Sequence, residues 1–463
     1  MFTSVQPKNT RPALLLGALL IASGSLLAQN ASLARLHEHA RAVRTPFLVQ
    51  GCHAVGCTHD EPATRGFLPV DNFDMGPSIA RSDSFDVAHY ELFLDVTDYA
   101  GQSLDAHATI TFTVLQGGGT SMWWDLKGLD VDSVTWNGDG VAFAQWGQEL
   151  HVQSPAPMAE GEAVTLDVWY GGQPDADPYW GGVYYASDLV YNLGIGLTSI
   201  PPNFGRVWYP CFDNFVERAT YTYHIQSAGG RRAHNQGHLV EEVQLGGDTL
   251  LCTWALDHPI PTHLSAMAVG PYVDHDYTHE GAYGDIPVRL TSKAADTGVM
   301  QQKFADLGYA IDALEYWWGP YAWERVGYIL TTDGALEIPT NIAYPRFMVE
   351  QSNFANGDLF AHELGHHWWG DLVAPTIHNH MWLKEGPAEY SSHLFVEWKD
   401  GHEAFVDLVK DNQRFVLEEC HVQDDGFHPL SPMPDEHIYG RHTYYKGASI
   451  MHNLRAYLGD DLF

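Results

Sequence analysis

Between about residues 79 and 290 apolar side chains recur at every second position, and beyond 290 they recur at every third and fourth. A chain whose hydrophobic period changes in this way must build a β-rich part and then a helical part. Tyr90, Leu92, Leu94 and Val96 alternate with other residues, Ile110, Phe112 and Val114 alternate with threonines, and Val164, Leu166, Val168 and Tyr170 repeat the pattern. Strands with one face in a core and the other in water alternate like this. Asn137-Gly138 has the residues of a two-residue hairpin turn. In the later part Phe304, Leu307, Ile311, Leu314 and Trp318 put one apolar face on a helix that Gly319-Pro320 ends. Val326 to Thr331 reads as a strand. Helices are expected over Asp358 to Trp369, after Glu385 and from about Thr443, the last running to Phe463 with no stop signal. The expected fold class is multidomain α+β.

A chain of 463 residues, 45% hydrophobic, exceeds one ordinary core. Its 24 Lys and Arg stand against 58 Asp and Glu, a net charge of −34. That balance excludes nucleic acid and anionic membrane as general partners, because binding phosphate needs clustered cations. Near the start, Lys8 and Arg11 precede an apolar stretch from Pro12 to Leu27 that leads into Ala28-Gln29. This is the pattern of a secretory signal peptide cleaved near Ala28, and it implies a secreted or periplasmic protein. A membrane anchor is the competing reading; the stretch is short of the ~20 apolar residues a span needs, so no stable span is expected after signal removal. Residues 29–78 lack a clean period and read as an N-terminal extension. Cys52, Cys57, Cys211, Cys252 and Cys420 are odd in number, so at least one pairs with no other in this chain. Cys52 and Cys57, beside His53 and His59, read as a local disulfide, with a metal clip as the alternative.

The sequence His362-Glu363-Leu364-Gly365-His366 carries the chemistry. Residues four apart on a helix share a face, so both imidazoles can reach one Zn²⁺. The glutamate between them lies beside the metal, where it can take a proton from activated water. With 26 histidines in the chain this pentapeptide alone is only suggestive. Its apolar flanks (Leu359, Phe360, Trp368, Trp369) indicate a buried helix, however, and Glu385 follows nineteen residues after His366. That span lets a second helix return, and Gly386-Pro387 suits a helix start, so Glu385 can face the metal from the first turn. Two His and one Glu leave a tetrahedral position open for water, the catalytic pattern.

These residues, with the Glu of Trp382-Leu383-Lys384-Glu385-Gly386-Pro387-Ala388-Glu389-Tyr390, resemble the M1 (gluzincin) family of zinc aminopeptidases. Arg206-Val207-Trp208-Tyr209-Pro210-Cys211-Phe212-Asp213 is similar to the family's R-x-W-x-P-C-x-D, Gly319-Pro320-Tyr321 to its GPY turn, Gly334-Ala335-Leu336-Glu337-Ile338 to G-A-M-E-N, and Tyr444-Tyr445-Lys446-Gly447 to Y-x-K-G. After the signal peptide (1–28) and the extension (29–78), the resemblance implies a saddle-like β-rich N-terminal domain (79–290) and a thermolysin-like, mainly helical zinc metallopeptidase domain (291–463), incomplete at its C-terminal side. It implies one Zn²⁺ per chain held by His362, His366 and Glu385. Glu363 would be the general base, Tyr444 the donor to the oxyanion, and Glu337 the partner of a peptide substrate's free N-terminus. Asp371 would orient a zinc histidine. Two positions depart from the family: Ile338 stands where it carries Asn, and Pro201 where it tends to place Gln or Glu as a second amine anchor. The function implied is a secreted zinc aminopeptidase. Its alternatives are a related hydrolase without a strict free-amine requirement, and a non-catalytic binding scaffold descended from a peptidase.

Overall fold

The computed structural model describes residues 71–72, 75–350 and 358–463. The proposed signal segment, most of the extension and the Cys52–Cys57 pair lie outside the described residues.

The alternating segments form one eight-stranded sheet. From edge to edge its strands are His238–Gly246, Thr249–Pro261, Arg218–Ser227, Phe85–Asp95, Leu104–Val114, Ala163–Gly172, Asp130–Trp136 and Asp139–Gly140. Only Phe85–Asp95 and Arg218–Ser227 run parallel, with Tyr90 opposite Tyr221. The predicted alternation resolves as expected: Tyr90, Leu92, Ile110, Phe112, Leu166, Val168 and Tyr221 share one buried cluster. The opposite face carries a ladder of flat rings. His107 stacks on Trp169 at 4.4 Å, and Phe93 on His107 at 5.2 Å and on His224 at 4.2 Å. Such cross-strand pairs stabilise the sheet from its wetter side. The turn at Asn137-Gly138 joins Trp136 to Asp139, as its residues predict. The Arg206–Asp213 stretch is a buried knot against this sheet. Arg206 Nη1 bonds Asp213 Oδ2 at 2.9 Å with both side chains fully buried, and the backbone N–H groups of Gly205 and Arg206 also donate to that carboxylate.

A four-stranded sheet follows, in the order Tyr272–Glu280, Asp285–Lys293, Val326–Thr331, Ile342–Pro345. It passes through residue 290, so the change of period there marks a change in what covers the strands. Helix α1 (Leu307–Trp318) packs Leu307, Ile311 and Leu314 into a core with Val326, Tyr328 and Leu330 of this sheet. The same core takes Phe360 and Leu364 from α2 (Leu359–Gly365) and Phe395 from α3 (Trp382–Asp400). Helix α4 (His402–Phe415) and helix α5 (Gly447–Leu458) pack on α3.

Three helix boundaries differ from the sequence reading. Helix α2 stops at Gly365, before Trp369, because the chain turns back: Gly370 N–H donates to Val373 O and Asp371 N–H to His366 O. Helix α3 begins at Trp382, so Gly386 and Pro387 lie within it and do not start it. A Cβ on Gly386 would lie 2.8 Å from Cα of Gly447, so glycine here lets α3 and α5 touch backbone to backbone. Helix α5 does have a stop. Gly459, at φ 76°, ends it with its N–H on Arg455 O. Among the described residues no helix is long and apolar enough to cross a membrane.

Candidate metal centre

Helix α2 carries His362, His366 caps its C-terminal end one turn on, on the same face, and α3 crosses it with Glu385 in its first turn. The two imidazole Nε2 atoms are 3.2 Å apart. Glu385 Oε2 lies 3.5 Å from His362 Nε2 and 3.3 Å from His366 Nε2. A tetrahedral ion about 2.0–2.1 Å from each donor needs donors about 3.3 Å apart. The three buried donors have that spacing, and their composition is that of a zinc site with a remaining open position. The residues therefore fit zinc.

Outer contacts fix both rings. His362 Nδ1 lies 3.2 Å from Glu389 Oε2, and His366 Nδ1 lies 2.9 Å from the carbonyl of Trp369. Both partners accept, so each Nδ1 carries the proton and each Nε2 keeps its lone pair for a metal. Burial by itself would raise the Glu389 carboxyl. The bonds from His362 and His393 outweigh it and hold the group at about 2, a full carboxylate at neutral pH. We expect Glu389→Gln to weaken zinc binding by about 10–100-fold, because a neutral amide orients and polarises the imidazole less well. Titration against a chelator of known affinity reads this directly; an unchanged zinc affinity would remove Glu389 from that role.

Glu363, between the two histidines, is fully buried, and neither carboxylate oxygen has a hydrogen-bond partner among the described residues. Burial pushes its carboxyl well up, with His362 opposing. Carboxylate oxygens of Glu337 and Glu363 and a ring nitrogen of His366 lie within 4.8 Å of one another, so both acids border the metal position. Tyr444 sits in the π-helical turn His442–Lys446 that leads into α5, its ring 6.0 Å from that of His362. The structure thus brings His362, Glu363, His366, Glu385, Glu337 and Tyr444 around one centre.

Asp371 is the exception. It lies against His367, Oδ2 to Nε2 3.8 Å, because the chain turns after α2. The nitrogen of His366 that it would have oriented is already on Trp369 O. His367 is held in turn by Tyr321 of the Gly319-Pro320-Tyr321 turn, whose hydroxyl is 2.8 Å from its Nδ1. Sequence reasoning missed Glu389 and Lys384. Glu389 follows Glu385 by four residues and so lies on the same helix face, a signal that was available. Lys384 is buried and its ammonium bonds the Glu337 carboxylate, while Nζ is 3.3 Å from Glu385 Oε1. Burial disfavours both charges, but the Lys384 ammonium holds the Glu337 carboxyl down at about 2. Its trace in the sequence was a lysine directly before the metal ligand Glu385 at the start of the helix.

The fold, a β-rich part preceding a helical part, thus presents a buried donor set fit for zinc. Residues 316–463 match the Peptidase family M1 domain. The chain is similar to the M1 zinc metallopeptidase of Deinococcus radiodurans, with 25% identity, a TM-score of 0.71 and coverage of 82% of this chain and 84% of that one. A mutant of that enzyme has been solved bound to a Tyr-Ser-Ala substrate. Among curated proteins it is 22% identical to probable aminopeptidase 1 of Sulfurisphaera tokodaii, over 81% of this chain and 47% of that protein. It is 27% identical to aminopeptidase M1 of Arabidopsis thaliana, over 60% of this chain and 33% of that protein. The chain thus spans about half the length or less of these curated relatives.

Proposed function

We propose that this chain is an exported zinc aminopeptidase that hydrolyses peptides at their first peptide bond. The observation that carries the reading is the convergence of His362 Nε2, His366 Nε2 and Glu385 Oε2, buried, beside the orphaned carboxylate of Glu363. Zinc held there supplies Lewis acidity and makes water a nucleophile at neutral pH. Glu363 takes the proton of the attacking water and hands it to the departing amine nitrogen. The Tyr444 hydroxyl donates a hydrogen bond to the oxyanion that develops on the substrate carbonyl. Glu337 faces the substrate's α-ammonium through a charge-assisted bond. Beside it a small pocket walled by Trp180, Ile195, Leu336 and Tyr439 adjoins Glu337, Lys384 and Glu385. Export rests on the Lys8–Gln29 pattern alone.

A second reading, a related hydrolase that does not require a free amine, is favoured by Ile338 in place of Asn and by the ion pair on Glu337. A panel of aminoacyl and peptide substrates, assayed before and after metal removal, tests the main reading. Hydrolysis of apolar free-amine substrates should vanish on chelation and return with stoichiometric zinc. Peptidase activity that survives removal of the metal would contradict it. Stoichiometric zinc with no hydrolysis of any substrate would leave a binding scaffold.

A further inference from the structure

Tyr444, the proposed donor to the oxyanion, sits in the π-helical turn His442–Lys446. Such turns are rare and recur at functional sites. The first N–H groups of any helical segment have no partner within it. The side chain of Arg441, at the N-terminal boundary, turns away from them: its Nε donates to Gln423 Oε1 at 2.7 Å. The cap comes instead from Asp424, 18 residues before His442. Arg441 N–H donates to Asp424 Oδ1 and His442 N–H to Asp424 Oδ2, each at 2.8 Å, and Oδ2 also takes the His442 ring through Nδ1. Gly440 makes room for this approach, since a Cβ there would lie 3.0 Å from Asp424 Cγ.

Asp424 is itself fixed. Its N–H donates to Cys420 O at 2.9 Å, and its carbonyl accepts from His428 Nε2 at 2.7 Å. The side chains of Asp424 and His442 are each 4% exposed. Burial alone would raise the Asp424 carboxyl; the bonds from His442 and from the two backbone N–H groups hold it below its usual range. Beyond the tyrosine, Lys446 Nζ donates to His428 O at 2.8 Å, so the segment 424–428 grips the turn both before and after Tyr444. Asp424 does not line the pocket beside the metal position, so its effect on the chemistry must pass through the turn. A phenol misplaced by about 1 Å can cost about 10²-fold in rate. We infer that Asp424 is a positioning residue: by capping the turn it sets the Tyr444 hydroxyl where the oxyanion develops. This rests on the proposed reading of Tyr444 as the oxyanion donor.

Asparagine keeps the shape of Asp424, but whichever way its amide is turned, an NH2 group faces a backbone N–H and the cap opens. The test is a double-mutant cycle in the zinc-loaded full chain, read as steady-state hydrolysis of L-leucine p-nitroanilide. Asp424→Asn should lower kcat by about 10–100-fold, with KM and zinc content changed little. In a Tyr444→Phe background the same substitution should cost less than about threefold, because the hydroxyl it positions is already gone. His442→Phe removes the bond from the ring and leaves the two from the backbone; it should lower kcat by about 3–10-fold, again only while Tyr444 is present. A merely structural carboxylate would lower activity by the same factor in both backgrounds. That outcome, a loss confined to KM, or a kcat within about threefold of the original for Asp424→Asn overturns the inference and leaves the aminopeptidase reading standing. Tyr444→Phe with undiminished kcat fails the reading of Tyr444, and no hydrolysis by the unsubstituted chain fails the proposed function; the inference falls with either. Should Asp424→Asn not fold, the His442→Phe cycle decides.

Discussion

Glu363→Gln should lower peptide turnover by about 10²–10⁴-fold while zinc stays bound. The substitution keeps the size of the side chain and removes the ability to take and return a proton. Glu363 is not one of the three donors spaced for the metal, so the donor set of His362, His366 and Glu385 remains whole. Its carboxylate is fully buried and has no hydrogen-bond partner among the described residues, so removing its charge breaks no hydrogen bond seen there. Burial raises its proton affinity above that of a surface glutamate, the direction a general base at neutral pH requires. Metal analysis and steady-state rates on the same preparation check this. Turnover within tenfold of the unsubstituted chain would assign the proton transfer to another group.

Local pattern made most of this site legible. The two-residue period placed the strands of the larger sheet because a half-buried strand writes its burial directly into its residues. The spacing of His362 and His366 gave the shared helix face for the same kind of reason. Glu385 needed one further step, the return of a second helix, which the nineteen-residue span after His366 allows. What escaped reading depends on neighbours distant in sequence. Gly386-Pro387 looks like the start of a helix; only the approach of Gly447, 61 residues on, shows why the glycine lies inside one. Asp371 has the sequence position of a group that orients a zinc histidine, yet the turn after α2 sends it to His367. The pairing of Lys384 with Glu337 joins residues 47 apart, and no periodicity encodes it. Departures from local rules gather around the metal position, where the residues serve chemistry as well as packing.

Tyr444→Phe should lower kcat by about 10²–10³-fold, the 2.7–4 kcal/mol typical of one oxyanion donor, with KM changed little. The split follows from when the contact forms. A neutral carbonyl in the bound substrate gains little from the phenol, whereas the charge that develops during attack gains much, so the loss falls on the transition state. The position of the hydroxyl is set by structure beyond the tyrosine. Its ring lies over His362 in the turn that enters α5, and α5 is pinned to α3 by the Gly386–Gly447 contact, the same helix that carries Glu385. Asn412 of α4 holds the turn from behind, its Nδ2 donating to Tyr445 O at 2.9 Å. Phenylalanine keeps the ring and the packing, so the melting temperature and the zinc content are the controls that isolate the hydroxyl. A kcat within about threefold of the original would mean that the phenol does not reach the oxyanion. A large rise in KM with kcat intact would instead make Tyr444 a ground-state contact. The Glu363→Gln and Tyr444→Phe losses should fall short of adding in the double variant, because proton transfer and oxyanion stabilisation act on one and the same transition state.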